Sequence, residues 1–319
     1  MCGIIGIQNN SEAATLAYMG LYAQQHRGQE GAGVVSSDGT TLHRHMGKGL
    51  VSDVFSNAEV FNSLVGDYAI GHVRYSTTGD SDSKNVGPLT FNMGDYSLSI
   101  AHNGNLVNVD KIRKKLHDDG ALFQTSTDTE IIIHLLAREK GNTLAEKLEK
   151  ALLKIEGAYS LILLSPNEII AARDPQGIRP FCMGKLNETI IFASETCALD
   201  LLGAAYVREV KPGEMIVAND DGFYSRNFIE PQEPKHCIFE YIYFSRPDSR
   251  IFGKNVDKMR RAFGRRLSRE NAKETGDIVI SVPDSSNTCA IGYSDASGIK
   301  HEIGLIRNHY IGRTFIFPS

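Results

Sequence analysis

Met1-Cys2-Gly3-Ile4-Ile5-Gly6 opens the chain, and the rest of the sequence is read outward from this stretch. Residues 3–7 form a short apolar run, which predicts a β-strand. A cysteine stands directly in front of it. Met followed by a small residue is the context in which the initiator methionine is excised, and excision leaves Cys2 with both a thiol and a free α-amine. Such an amine has an ordinary pKa of roughly 7.7–8, so it is partly neutral at cellular pH and suited to take the thiol proton. The competing reading is a cysteine that merely begins a buried strand.

Seven more strands are predicted, at 32–37, 68–75, 97–102, 159–164, 168–173, 190–194 and 214–218, most of them ended by Gly, Asn or Asp. Thr127-x-x-Glu130 and Thr143-x-x-Glu146 have capping-box form ahead of apolar-periodic segments, with Gly141 and Gly157 placed as stops. A further helix is predicted over 108–120. Strands dominate and helices follow hairpin-like pairs, which favours antiparallel sheets with helices packed outside them. Pro231-Gln232-Glu233-Pro234 reads as a linker. Beyond it come a basic helix over 254–274, an apolar run over 277–282 and a helix from Asn287, the opening of a parallel α/β unit.

The length of 319 residues suits one large domain or two ordinary ones. Thirty-four basic against 38 acidic residues leave a net charge of −4, so no global field favours nucleic acid or an anionic membrane. The basic helix, with Arg260, Arg261, Arg265, Arg266 and Arg269, is read as a solvated outer face beside Val256, Met259, Phe263 and Leu267, in preference to a phosphate-binding face. Thirty glycines point to many tight turns and close backbone approaches. The five cysteines, Cys2, Cys182, Cys197, Cys237 and Cys289, form no C-x-x-C pair, which argues against a disulfide framework or a zinc site. With no basic leader and no apolar run near ~18 residues, a cytoplasmic, soluble protein is expected.

A thiolate that attacks an amide needs oxyanion donors and a clamp for the fixed charges of its substrate. His102-Asn103-Gly104-Asn105 follows a strand and offers a side-chain amide and a backbone N–H; its plainer reading is a hairpin turn. In His72-Val73-Arg74-Tyr75-Ser76-Thr77, Arg74 can grip a carboxylate, or simply form a surface ion pair. Asp128 can hold an ammonium group, or simply favour the helix dipole.

Taken together, these stretches resemble the N-terminal-nucleophile glutamine amidotransferases. The resemblance runs in order through Cys2-Gly3-Ile4-Ile5-Gly6, Gln25-His26-Arg27-Gly28-Gln29-Glu30-Gly31-Ala32-Gly33, Gly71-His72-Val73-Arg74-Tyr75, His102-Asn103-Gly104-Asn105-Leu106 and Ser126-Thr127-Asp128-Thr129-Glu130. Gly49-Leu50-Val51-Ser52-Asp53-Val54-Phe55, Arg173-Asp174-Pro175-Gln176-Gly177-Ile178-Arg179-Pro180 and Glu240-Tyr241-Ile242-Tyr243-Phe244-Ser245-Arg246-Pro247-Asp248-Ser249 are similar to the amidophosphoribosyltransferase branch in particular. Val282-Pro283-Asp284-Ser285-Ser286 and the stretch from Asn308 to Ile316 extend that similarity.

The resemblance implies an α+β fold: a four-layer αββα sandwich over 2–237, then an incomplete α/β phosphoribosyltransferase-type domain over 238–319. It implies glutamine hydrolysis at Cys2 through a γ-glutamyl thioester, with Asn103 and Gly104 as oxyanion donors, Arg74 on the substrate carboxylate and Asp128 on its amine. Arg27 and Gly28 would shape the pocket, Tyr75 would belong to the loop that closes it, and Thr77 would be a substrate-binding residue. Ammonia would pass to phosphoribosyl diphosphate, giving 5-phosphoribosylamine, the first step of purine biosynthesis. By the same resemblance Ser285 is a magnesium-associated hydroxyl, Cys237 matches the first of four iron–sulfur ligands in one branch, and a homo-oligomer is expected. The acidic-pair loop Val-Asp-Asp-Ser-Ile-Val-Arg-Gly-Thr of the family is absent from these residues, so the chain is expected to supply only the glutaminase half. The alternatives are a glucosamine-phosphate-synthase-like amidotransferase and an inactive binding or regulatory remnant.

Overall fold

The computed structural model describes residues 1–75, 82–273, 275–308 and 310–313. The chain divides into two compact units, Met1–His236 and Cys237–Phe315.

The first unit runs β1 (Gly3–Gln8), α1 (Ala13–Ala23), β2 (Gly31–Ser37), β3 (Leu42–Lys48), α2 (Val51–Val54), β4 (Tyr68–Arg74), β5 (Leu89–Met93), β6 (Tyr96–Leu106), α3 (Val109–Asp118), α4 (Thr129–Arg138), α5 (Leu144–Leu152), β7 (Gly157–Ser165), β8 (Glu168–Arg173), β9 (Cys182–Leu186), β10 (Thr189–Ala193), α6 (Thr196–Leu202), β11 (Ala205–Glu209), β12 (Glu214–Asn219) and β13 (Gly222–Asn227). Seven strands form one sheet in the order β11-β9-β10-β1-β4-β2-β3, and six form a second in the order β13-β12-β8-β7-β6-β5. All their pairings are antiparallel.

Alternation along the strands assigns each side chain to a layer. Ile4, Ile70, Ala101, Ile162, Ala171 and Phe192 meet between the sheets. Ile5, Ile7, Ala69 and Val73 point the other way, against Ala13, Ala17 and Leu21 of α1 and Ala198 and Leu199 of α6. Leu98, Ile100, Leu161 and Leu163 pack on Ile131, Ile132, Leu135 and Leu136 of α4 and on Leu148 and Leu152 of α5. The layers therefore run helix, sheet, sheet, helix, the αββα sandwich of an α+β fold.

Each of the eight predicted strands is present, but the helix starts differ in detail. Thr143 accepts from the Glu146 N–H at 3.2 Å, as a cap should. Thr127 does not cap α4; Asp128 occupies that position, and neither makes a side-chain cap. Glu130 turns back instead to accept from the Gln124 and Thr125 N–H groups at 2.8 and 2.7 Å. Gly157, expected to stop a helix, opens β7 with φ +127.

In the second unit α7 (Val256–Glu270) and α8 (Asn287–Ser297) pack on each other, and Tyr241, Ile251, Phe252 and Val256 form a small core. The expectation of a wholly solvated basic face on α7 is corrected at Arg260. That side chain is buried and donates to the Tyr241 and Ser245 carbonyls at 2.6 and 2.8 Å, while Leu267, expected inside, is exposed. Arg260, Gly264 and Ser268 recur every four residues and form the buried stripe, so it runs along a different edge of the helix. The run over 277–282 pairs among the described residues only at Val279, whose partner His301 lies parallel to it.

The approach of α7 to α8 depends on two glycines. A Cβ at Gly264 would fall 1.9 Å from the Cys289 carbonyl oxygen, and one at Gly292 would fall 2.2 Å from that of Arg261. Backbone cannot yield as a side-chain tip can, so Gly264→Ala is expected to destabilise the second unit by about 1–3 kcal/mol. The measurement is the urea midpoint of the helical signal, and an unchanged midpoint would contradict the packing.

Candidate active site at the end of β1

Strand register places the candidate residues. β1 lies between β10 and β4, with Ile4 opposite His72 and Gly3 opposite Val73. Ile4, Ile70 and Ala101 share the layer between the sheets. Two residues further along each strand, on the same face, stand Cys2, His72 and Asn103.

Cys2 is partly buried. Its sulfur accepts from the Tyr75 N–H at 3.5 Å, and its S–H points to the Tyr75 carbonyl at 3.5 Å. Burial on its own raises the thiol pKa. The charge of His72, the N-terminal ammonium and the Tyr75 N–H outweigh it and bring the thiol from 9.0 down to about 6. His72 is buried, and neither of its ring nitrogens has a hydrogen-bond partner.

Asn103 is fully buried, and neither its amide nitrogen nor its amide oxygen has a hydrogen-bond partner. A buried amide left unsatisfied is costly, and it fits a group that waits for a ligand. Gly104 follows it on β6. Asp128 reaches back from the start of α4 to accept from the Leu106 N–H at 2.9 Å, and its other oxygen lies 3.8 Å from His102 Nδ1. The carboxylate thus faces β6 rather than its own helix. Burial pulls the His102 pKa down against the opposing charge of Asp128, so the ring is neutral near pH 7.

Arg74 is buried; its Nη1 donates to the Asn85 carbonyl at 3.0 Å and its Nε lies 3.6 Å from Glu30. Asn85 in turn exchanges hydrogen bonds with Ser126 through its side-chain nitrogen (2.9 Å) and oxygen (3.1 Å). The residue expected on a substrate carboxylate is thereby tied to the loop that carries the residue expected on its amine. Arg113 and Glu130 stiffen that loop, Arg113 by donating to the Thr125 and Thr127 carbonyls at 3.2 and 2.6 Å.

Arg27 is fully buried and donates through Nε to the Cys2 carbonyl at 2.9 Å. Gly28 lies against the backbone beyond β4, where a Cβ would fall 2.4 Å from the Arg74 carbonyl oxygen, so no larger residue fits. Cys2, Arg27, Gly28, Arg74 and Tyr75 therefore gather at one end of β1 and β4. Asn103 stands on the facing strand, and Asp128 is tied to that strand and to Arg74. Thr77 lies outside the described residues. His72 is the residue that reading by motif passed over; its signal was period-2 alternation, which puts residues 72 and 74 on the same face as Cys2.

Two expected cofactor positions lie in the second unit. Ser285 follows Asp284, whose carboxylate is engaged by Arg307 at 2.8 Å. Among the described residues no group of three His, Cys, Asp or Glu ligands surrounds Ser285 or Cys237, and one thiolate cannot hold an iron–sulfur cluster. Among the described residues the one such group is His26, Glu195 and Cys197 in the first unit. There the Arg27 guanidinium already bonds Glu195 Oε1, which disfavours a second cation.

A glutamine amidotransferase domain family matches residues 72–201. Fold and family match together define the class, the N-terminal-nucleophile glutamine amidotransferases. The amidophosphoribosyltransferase of Bacillus subtilis is 48% identical over the whole chain, which spans 67% of that protein. A chloroplastic amidophosphoribosyltransferase of Arabidopsis thaliana is also 48% identical, and the chain spans 57% of its length. A solved structure described as the allosteric regulatory enzyme of purine biosynthesis superposes with a TM-score of 0.94 at 47% identity, over the whole chain and 68% of that structure. The chain belongs to the amidophosphoribosyltransferase family. Among the described residues no helix is long and apolar enough to cross a membrane.

The thiol environment makes a direct prediction. Iodoacetamide should alkylate Cys2 with a rate that rises through about pH 6, where the thiolate forms, and not near the ordinary thiol value of 9.0. His72→Gln removes the charge that outweighs burial, so its profile should move upward; an unmoved profile would exclude His72 as the cause.

Proposed function

We propose that the first unit hydrolyses glutamine with Cys2 as nucleophile. The observation that carries this reading is the shared inner face of Cys2, His72 and the unpartnered, buried Asn103. The thiolate adds to the side-chain carboxamide carbon, and the resulting oxyanion takes hydrogen bonds from the Asn103 amide and the Gly104 N–H. Collapse breaks the C–N bond, the nitrogen leaves as ammonia with a proton, and a γ-glutamyl thioester remains on Cys2. Water then adds to the thioester, and glutamate departs as the thiol is restored. With Met1 removed, the Cys2 amine serves as the proton carrier.

Arg74 and Asp128 supply the charges that a free amino acid presents in reverse, a carboxylate and an ammonium. Their linkage through Asn85 and Ser126 keeps the two clamps at a constant spacing. Tyr75, bonded to the nucleophile through its backbone, belongs to the segment that closes over the substrate, and Thr77, outside the described residues, is a substrate-binding residue. The longer relatives are named for amidophosphoribosyl transfer. On that basis the ammonia is delivered to phosphoribosyl diphosphate in the whole protein, giving 5-phosphoribosylamine. Ammonia is the reacting species, so the site must limit contact with water, which would protonate and disperse it.

Glutamate release from glutamine should be abolished in Cys2→Ser. Asn103→Ala should lower kcat by roughly 10²–10³-fold, the loss that follows removal of one oxyanion donor. A Cys2→Ser protein that still hydrolyses glutamine would refute the nucleophile assignment, and turnover that depends on fructose 6-phosphate would refute phosphoribosyl diphosphate as the acceptor.

A further inference from the structure

We propose that Glu195 is a positioning residue for the nucleophile and acts through Arg27. Both side chains are fully buried, and Arg27 Nη1 is paired with Glu195 Oε1. The same guanidinium donates through Nε to the Cys2 carbonyl at 2.9 Å. His26 shares Glu195 Oε1 at 2.8 Å, so one carboxylate oxygen receives two neighbouring side chains from a single turn, 25–27. The residue beside Glu195 holds the same strand from its backbone: the Ser194 hydroxyl accepts from the Ile4 N–H at 3.1 Å, and the Ser194 N–H donates to the Ile4 carbonyl at 3.1 Å.

The physical reasoning is that Cys2 precedes β1 and has no ladder partner of its own to orient it. Its carbonyl is held by a long side chain with many rotamers. A buried guanidinium adopts one rotamer only where its remaining N–H groups meet acceptors, and a charged acceptor is the strongest available. Glu195 supplies that acceptor from a different part of the chain, at the junction of β10 and α6. The carboxylate therefore fixes the Arg27 fork, and the fork fixes the peptide that carries the thiol.

This inference rests on Cys2 being the glutaminase nucleophile. The experiment is a double-mutant cycle on the chain as it stands, with Glu195→Gln, Arg27→Gln and the pair together, reading glutaminase kcat and KM and the rate of Cys2 alkylation by iodoacetamide at pH 7. Glu195→Gln should lower kcat by roughly 10–100-fold, because a small displacement of a reacting group has that effect, while KM stays within about 3-fold. The double variant should match Arg27→Gln alone in kcat and in alkylation rate, and all three variants should alkylate more slowly than the parent. Equal additional losses from Glu195→Gln with and without Arg27 would overturn the proposal, as would a change confined to KM. Should Glu195→Gln unfold, the double variant, in which neither charge is left buried alone, is compared with Arg27→Gln, and a kcat or alkylation rate clearly below that of Arg27→Gln overturns the proposal. A parent protein that does not hydrolyse glutamine would refute the glutaminase reading, and the alkylation cycle would still report on the clamp.

Discussion

β1 is buried on both faces. Every residue from Gly3 to Gln8 is enclosed, with Ile4 and Gly6 turned toward the second sheet and Ile5 and Ile7 toward α1 and α6. A slip of one residue would exchange these two sets and drive the large Ile side chains into the space now occupied by glycine. Register is thus fixed by packing on two sides at once, and with it the face on which Cys2 emerges. The other candidate groups reach the same place because β4 and β6 contribute to that same layer through Ile70 and Ala101.

What surrounds the nucleophile is a set of buried polar contacts between segments distant in sequence. Arg27 and Glu195 are 168 positions apart, and Arg74 reaches the loop before α4 through Asn85. Buried charges are tolerated only when paired and hydrogen-bonded, so each of these groups constrains its partner. Asn103 and His72, by contrast, each keep both side-chain polar atoms without a hydrogen-bond partner.

Legibility in the sequence follows solvent exposure. The strands predicted from pattern, such as those at 159–164 and 214–218, are interior ones with strong apolar runs. Five strands of the two sheets were missed: β9, a short interior strand with Gly184 at its centre, and four edges, β3 and β11 of the seven-stranded sheet and β5 and β13 of the six-stranded one. Edge strands carry polar and charged residues, as Leu42-His43-Arg44-His45-Met46-Gly47-Lys48 does, and so lose the alternation that marks a strand. α1 was missed for a related reason: Ala-Ala-Thr-Leu-Ala-Tyr-Met-Gly-Leu-Tyr-Ala is apolar nearly all round and offers no polar face for contrast. At the site, motif order made Cys2, Arg27, Gly28, Arg74, Asn103, Gly104 and Asp128 visible as candidates. His72 and Glu195 were not, because the role of each comes from a neighbour that only folding supplies.

The sequence by itself determined the chemistry on offer: a cysteine beside a removable methionine, an amide next to a glycine, an arginine and an aspartate ahead of a helix. It also indicated antiparallel sheets with helices outside them, because alternation is a local property of the chain, while the four-layer αββα order came only from the resemblance to a family. Only the tertiary structure decided which of these groups share a face and how the thiol is tuned. Thiol acidity depends on the distance to His72 and on exclusion of water, neither of which exists until β1 and β4 pair and the second sheet closes over them.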